Sequence, residues 1–144
     1  MKEIRNISDS LVLKDGIWYP PSKEVISYPD SGNAHCLQIE DSSFWFAHRN
    51  ACIANLVKKF APQKTFWDIG GGNGYVSKGL QKEGIEVILV EPGEKGAQAA
   101  FKRGVKQVIC STLEQSGLKA ESVEAAGLFD VVEHIKTTGN FYSH

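Results

Sequence analysis

The chain has 144 residues, 42% apolar and 23% charged, with 16 basic against 17 acidic groups and a formal net charge of -1. That length fits one domain or part of one, and the ordinary globular composition excludes wholesale disorder. The charge balance gives no electrostatic footprint for nucleic acid or an anionic membrane, and no apolar run approaches the ~18 residues a membrane span needs. The start, Met1-Lys2-Glu3-Ile4-Arg5-Asn6, lacks the apolar core of a signal peptide, so the expected location is cytoplasmic. Cys36, Cys52 and Cys110 are odd in number, far apart in sequence and without metal-ligand spacing, and they read as reduced thiols. His35 beside Cys36 supplies two neighbours, short of a four-ligand site.

In chain order, residues 1–40 read as an N-terminal extension and 41–144 as the main domain. Leu11-Val12-Leu13 and Ile17-Trp18-Tyr19 are short β-prone runs around Asp15-Gly16, which predicts a hairpin ended by Pro20-Pro21. Residues 27–34 are turn formers and predict a loop. Asp41-Ser42-Ser43 offers N-caps for a helix whose apolar stripe is Phe46, Ile53, Leu56, Val57 and Phe60, stopped before Pro62. Thr65–Ile69 then predicts a strand, Tyr75–Lys82 a helix ending at Gly84, and Ile85–Val90 a strand buried on both faces. Glu94–Arg103 predicts a second helix with Gly104 as its cap, Val105–Cys110 a third strand, and Val123–Phe129 a fourth. Strand and helix alternate, so the expected class is α/β with a parallel sheet and flanking helices.

The central signal is Asp68-Ile69-Gly70-Gly71-Gly72-Asn73-Gly74, lying between a strand and a helix, where open α/β sheets bind ligands. A plain tight turn needs one or two glycines rather than four in five residues. A dinucleotide fingerprint needs G-x-G-x-x-G, but here the third glycine comes one residue early and Tyr75 takes its place. A P-loop needs Gly-Lys-Ser/Thr, which is absent. Asp68 beside the loop favours a ligand carrying an ammonium and a sulfonium over an anionic pyrophosphate. Glu91, at the tip of the second strand, is placed to accept both hydroxyls of a ribose.

These residues, followed by Val87-Ile88-Leu89-Val90-Glu91-Pro92 and Phe129-Asp130-Val131-Val132-Glu133-His134-Ile135, resemble three successive motifs of class I S-adenosylmethionine-dependent methyltransferases, with a Rossmann-like sheet. Phe44-Trp45-Phe46-Ala47-His48-Arg49-Asn50 resembles a helix that precedes the glycine loop in one subset of that family. The resemblance covers about residues 42–136 and implies S-adenosyl-L-methionine as cofactor. It implies that Gly70, Gly71, Gly72 and Gly74 line the methionine part, with Asp68 near its amino group. Glu91 would take the ribose hydroxyls with Pro92 beside the adenine. Thr112 and Leu113 match the adenine-contacting loop by position, although the family more often has Asp where Thr112 stands. Asp130 would face the methyl group and substrate, and Arg49 would pair with the cofactor carboxylate.

If the acceptor must lose a proton, Glu133 and His134 are the candidate bases, and an imidazole titrates near neutrality. Asp130, Glu133 and His134 also match the spacing of a divalent-metal site found in part of the family, but no further ligand is visible, and the expectation is that no metal is used. The expected partner is a small-molecule acceptor, unidentified, with nucleic acid and membrane disfavoured. The family sheet has seven strands and the motifs here reach the fourth. The expectation is therefore a sheet truncated after the fourth strand, the cofactor-binding half of a larger enzyme, which self-associates when isolated. Two other readings stand beside this one: a cofactor-binding or interaction fragment without catalysis, and an NAD-type oxidoreductase with an atypical loop.

Overall fold

The computed structural model describes residues 3–21 and 43–129. A single-turn helix α1 (Ile4–Ile7) leads into strands β1 (Val12–Lys14) and β2 (Ile17–Tyr19). The 17-residue helix α2 (Phe44–Phe60) follows, then β3 (Phe66–Ile69), α3 (Tyr75–Lys82), β4 (Val87–Val90) and α4 (Glu94–Arg103). Strands β5 (Val108–Ile109) and β6 (Ala125–Gly127) complete the described elements.

Each element has a local cause. Asp15 and Gly16 both adopt positive φ, 50° and 84°, as the two-residue hairpin turn requires, and β1 pairs antiparallel with β2 in the register Leu13 to Trp18. All four residues of β3 and all four of β4 are buried, as expected of strands covered on both faces. Helix α4 closes at Gly104, whose φ of 96° is the left-handed conformation that releases the chain from a helix.

Among the described residues the sheet has six strands in the order β1-β2-β5-β4-β3-β6, all parallel except β1. The four strands after α2 therefore lie third, second, first, fourth. This is the doubly wound order, whose direction of winding reverses between β3 and β6. The glycine loop leaves the carboxyl end of β3 beside that reversal, where ligands of open α/β sheets bind.

The sheet is the middle of three layers. On one face Trp67, Ile69, Ile88, Val90 and Ile109 meet Ile4 and Ile7 of α1 and Leu11, with Leu113 and Leu118 packed against them. On the other, Phe66 and Val87 meet Ile53, Ala54 and Val57 of α2 and Leu80 of α3, while Leu89 and Val108 meet Ala97 and Ala100 of α4. The hairpin thus joins the sheet itself: Trp18 pairs with Ile109, and the Cys110 amide donates to the Trp18 carbonyl at 2.8 Å.

Several expectations need correction. The third strand is shorter than Val105–Cys110 because its first residues are spent on helix ends. The Val105 amide donates to Ala100 O at 3.1 Å and the Lys106 amide to Gln81 Oε1 at 2.9 Å. The fourth strand begins at Ala125 rather than Val123, after a turn in which Ser122 N donates to Lys119 O. In α2 the buried face is Ile53, Ala54 and Val57, whereas Leu56 and Phe60 are 56% and 73% exposed. Leu56 adjoins Val57 and so points about 100° away from it. Helix α1 had no counterpart in the sequence reading. No described helix is long and apolar enough to cross a membrane.

This layering separates two apolar positions that look alike in sequence. Ile88→Ala, at a site with 0% exposure, is expected to cost roughly 2–5 kcal/mol of unfolding free energy. Leu56→Ala is expected to stay within about 0.5 kcal/mol of the parent. Urea denaturation of both variants checks the contrast.

Candidate functional site

The site starts from Asp68, one residue before the end of β3 and 1% exposed. Ser77 Oγ, from the first turn of α3, donates to Asp68 Oδ2 at 2.7 Å. Burial pushes the Asp68 carboxyl up to about 6, and the nearby Glu91 charge adds to this, while the Ser77 bonds and Arg49 oppose it.

From β3 the chain enters the loop with the Gly70 amide donating to Val90 O at 2.7 Å. The Gly74 amide then turns back to Gly71 O at 3.0 Å. Gly70, Gly72 and Gly74 have φ of 72°, 53° and 76°, the left-handed region that favours glycine. Their surroundings differ. A Cβ on Gly74 would sit 2.8 Å from both Ala100 and Val105 side chains, and one on Gly71 would sit 2.7 Å from Leu89. A Cβ on Gly72 would meet nothing within 4 Å, so on that side the backbone is open to an approaching ligand.

Glu91 follows β4 directly and is 6% exposed. Its Oε2 accepts from the Gly72 amide and its Oε1 from the Gly93 amide, both at 2.8 Å. Burial raises the Glu91 carboxyl above the usual range, and the two amides hold it back. One carboxylate therefore bridges the glycine loop and the start of α4. Pro92 sits half-buried beside it.

Arg49 projects from α2 with its guanidinium 5.6 Å from the Trp45 ring centroid, close enough to Asp68 to favour that group's charged form. Phe46 meets Tyr75, the first residue of α3, edge to face at 6.2 Å. Thr112, after β5, uses its hydroxyl to accept the Gln115 amide at 3.2 Å, and Leu113 packs into the core. Asp130, Glu133 and His134 lie outside the described residues. Among the described residues no group of three or more His, Cys, Asp or Glu side chains has the arrangement to hold a metal.

The structure thus brings Arg49, Asp68, the four glycines, Glu91 and Pro92 to one end of the sheet. Two further residues join them that the sequence reading passed over. Ser77 is legible only as a small polar residue on the inward face of α3. Arg103, from the end of α4, donates from Nε to Asn73 O at 3.1 Å. A groove of about 710 Å³ lies between α2, α3 and α4; neither Glu91 nor Gly70–Gly72 lines it.

A profile of the family described as "Methyltransferase domain" matches residues 67–143, more than half of the chain. The chain belongs to that family. No sequence among the curated proteins matches it significantly. Solved structures resemble it in part. An S-adenosylmethionine-dependent methyltransferase from Bacteroides fragilis, in complex with S-adenosyl-L-homocysteine, is 25% identical over 42% of this chain and 25% of that one, with a TM-score of 0.37. DesVI from Streptomyces venezuelae is 20% identical over 58% of this chain and 35% of that one, TM-score 0.43. The plantazolicin methyltransferase BpumL, in complex with S-adenosyl-L-homocysteine, is 13% identical over 65% of this chain and 38% of that one, TM-score 0.47. The chain spans between 25% and 38% of the length of these three structures.

The buried Asp68 has a consequence for stability. Its folded-state value of about 6 lies above the ordinary value of 3.8, so between those limits the folded protein binds a proton that the unfolded chain releases. Stability from this group is therefore present below pH 4 and lost as pH rises through 6, by an amount on the order of 3 kcal/mol. Urea titrations of the parent and of Asp68→Asn across pH 4–8 are expected to diverge by a step in that window. A constant difference would contradict it.

Proposed function

We propose that this chain binds S-adenosyl-L-methionine at the carboxyl end of its sheet and serves a methyl-transfer enzyme acting on a small-molecule acceptor. The observation that carries this reading is the buried Glu91 carboxylate facing the open Gly72 backbone. A ligand entering there would meet a carboxylate whose two oxygens each accept one amide and keep a further lone pair, next to a stretch of chain without side chains. That combination suits a ribose joined to a small charged group.

The residues present fit the cofactor. Glu91 would accept the two ribose hydroxyls, and Gly70 to Gly72 would let the methionine portion lie against bare backbone. Asp68 supplies negative charge beneath the loop for an ammonium, and Arg49 supplies positive charge for a carboxylate. Pro92, Thr112 and Leu113 would border the adenine. The cofactor, when bound, supplies an activated methyl group on a sulfonium. The chain's task is to orient it and to exclude water, since in-line displacement depends on alignment. Asp130, Glu133 and His134 are assigned here to the acceptor side, with His134 or Glu133 taking a proton where the acceptor carries one.

Thermal-shift titration distinguishes this from a nicotinamide cofactor, because a ligand that binds only the native state raises its melting temperature. S-adenosylhomocysteine is expected to raise it and NAD to leave it unchanged; a rise with NAD alone would sink the proposal. Glu91→Ala is expected to weaken S-adenosylhomocysteine binding by about 100-fold or more, the value of losing two hydrogen bonds to a charged acceptor.

The same site sets a pH dependence of binding. A ligand ammonium favours ionised Asp68, whose carboxyl sits at about 6 in the free protein. Affinity is therefore expected to climb as pH rises towards 6 and then level off, with proton release on binding in the acid range. Calorimetry in two buffers of different ionisation enthalpy measures that release. Asp68→Asn is expected to remove both the slope and the proton.

A further inference from the structure

The glycine loop is gripped from two sides. On the ligand side Glu91 holds the Gly72 amide. On the opposite side stands Arg103, the last residue of α4. Its Nε donates to the Asn73 carbonyl at 3.1 Å, and its guanidinium carbon lies 5.5 Å from the centroid of the Tyr75 ring. Asn73 and Tyr75 flank Gly74, where a Cβ would sit 2.8 Å from the side chain of Ala100 in α4. The end of α4 therefore forms a seat for the back of the loop.

We propose that Arg103 is a positioning residue for the cofactor site, acting through Asn73 and Tyr75 without touching the ligand. The coupling runs through one peptide plane. The Asn73 carbonyl and the Gly74 amide belong to the same rigid unit and point in opposite directions. Holding the carbonyl on Arg103 aims the Gly74 amide at Gly71 O, to which it donates at 3.0 Å. That bond closes the turn carrying Gly72, and Gly72 presents the open backbone and the amide that meets Glu91. Freed from Arg103, the plane can rotate, since Gly74 on one side of it imposes little barrier.

An ordinary alternative exists for a cation at this place. Basic residues in the last turn complement the helix dipole, and Lys102 and Arg103 both qualify. A lysine would serve that purpose as well as an arginine. It would not serve the geometry seen here, where a planar guanidinium lies over a ring and donates from Nε, one atom short of its end. The conservative replacement therefore separates the two roles.

The inference rests on the cofactor reading for its ligand, so the test carries an arm that needs none. Amide exchange by NMR is followed in the free full chain for the parent, Arg103→Ala and Arg103→Lys, and S-adenosylhomocysteine affinity is measured by calorimetry. In Arg103→Ala, exchange at Gly71 to Gly74 is expected to rise and affinity to fall, each by about tenfold, the worth of one such bond. Amides of β4 should keep their parent rates. Arg103→Lys is expected to behave like the alanine variant. Lysine restoring both quantities would reduce Arg103 to a helix-end charge and overturn the proposal. Unchanged loop exchange, or exchange rising equally in β3 and β4, would overturn it as well. A parent chain that fails to bind S-adenosylhomocysteine would defeat the cofactor reading alone, and the exchange arm would still decide the role of Arg103.

Discussion

Two carboxylates buried at the ends of neighbouring parallel strands set the terms for this end of the molecule. Burial is the larger penalty for both, and the Glu91 charge adds to the cost of ionising Asp68. Such groups need donors, and the chain supplies them from the loops and helix starts beside them: Ser77 for Asp68, and the amides of Gly72 and Gly93 for Glu91. The loop geometry follows from that requirement. Gly72 must bring its amide to a carboxylate from the neighbouring strand while leaving its other side clear. The start of α4 must bring Gly93 to the same group. A polar burial that would be a liability elsewhere becomes the pin joining strand, loop and helix.

Much of this was legible in the sequence because it was carried by local signals. Four glycines in five residues after a short apolar strand mark a loop where backbone must approach something closely. An acidic residue closing the next strand marks its partner. Asp15-Gly16 marks a hairpin through its turn chemistry alone, and Gly104 marks a helix end. The family match over residues 67–143 agrees with the motifs that carried the resemblance.

What stayed hidden was decided by non-local contacts. Nothing in Ile17-Trp18-Tyr19 states that it will run parallel to a strand near residue 109. The choice of Val57 over Leu56 as a core residue depends on how α2 lies across β3 and α3, which periodicity alone leaves open when apolar residues adjoin. Val105 and Lys106 carry strand-forming neighbours, yet their amides satisfy helix ends instead. Arg103 reads as an unremarkable terminal cation, and its link to Asn73 spans 30 positions. Ser77 reads as one polar residue in a mixed helix, and only the buried Asp68 beneath it gives the hydroxyl a purpose.

The hairpin's place in the sheet has a consequence for how the molecule comes together. Its pairing with Ile109 is reinforced by a bond from Ser8 Oγ to Ser116 O at 2.7 Å and from the Lys119 amide to Ile7 O at 2.8 Å. The hairpin is thus docked on a strand far along the chain, Trp18 against Ile109. Ile4, Ile7 and Leu11 cover a face built from β3, β4 and β5, so that face is complete only when residues 66–109 have come together. Closing so long a loop is slow compared with forming helix or hairpin. The loop-bearing strands pair over short stretches of chain, whereas the hairpin segment joins them only by closing a long loop.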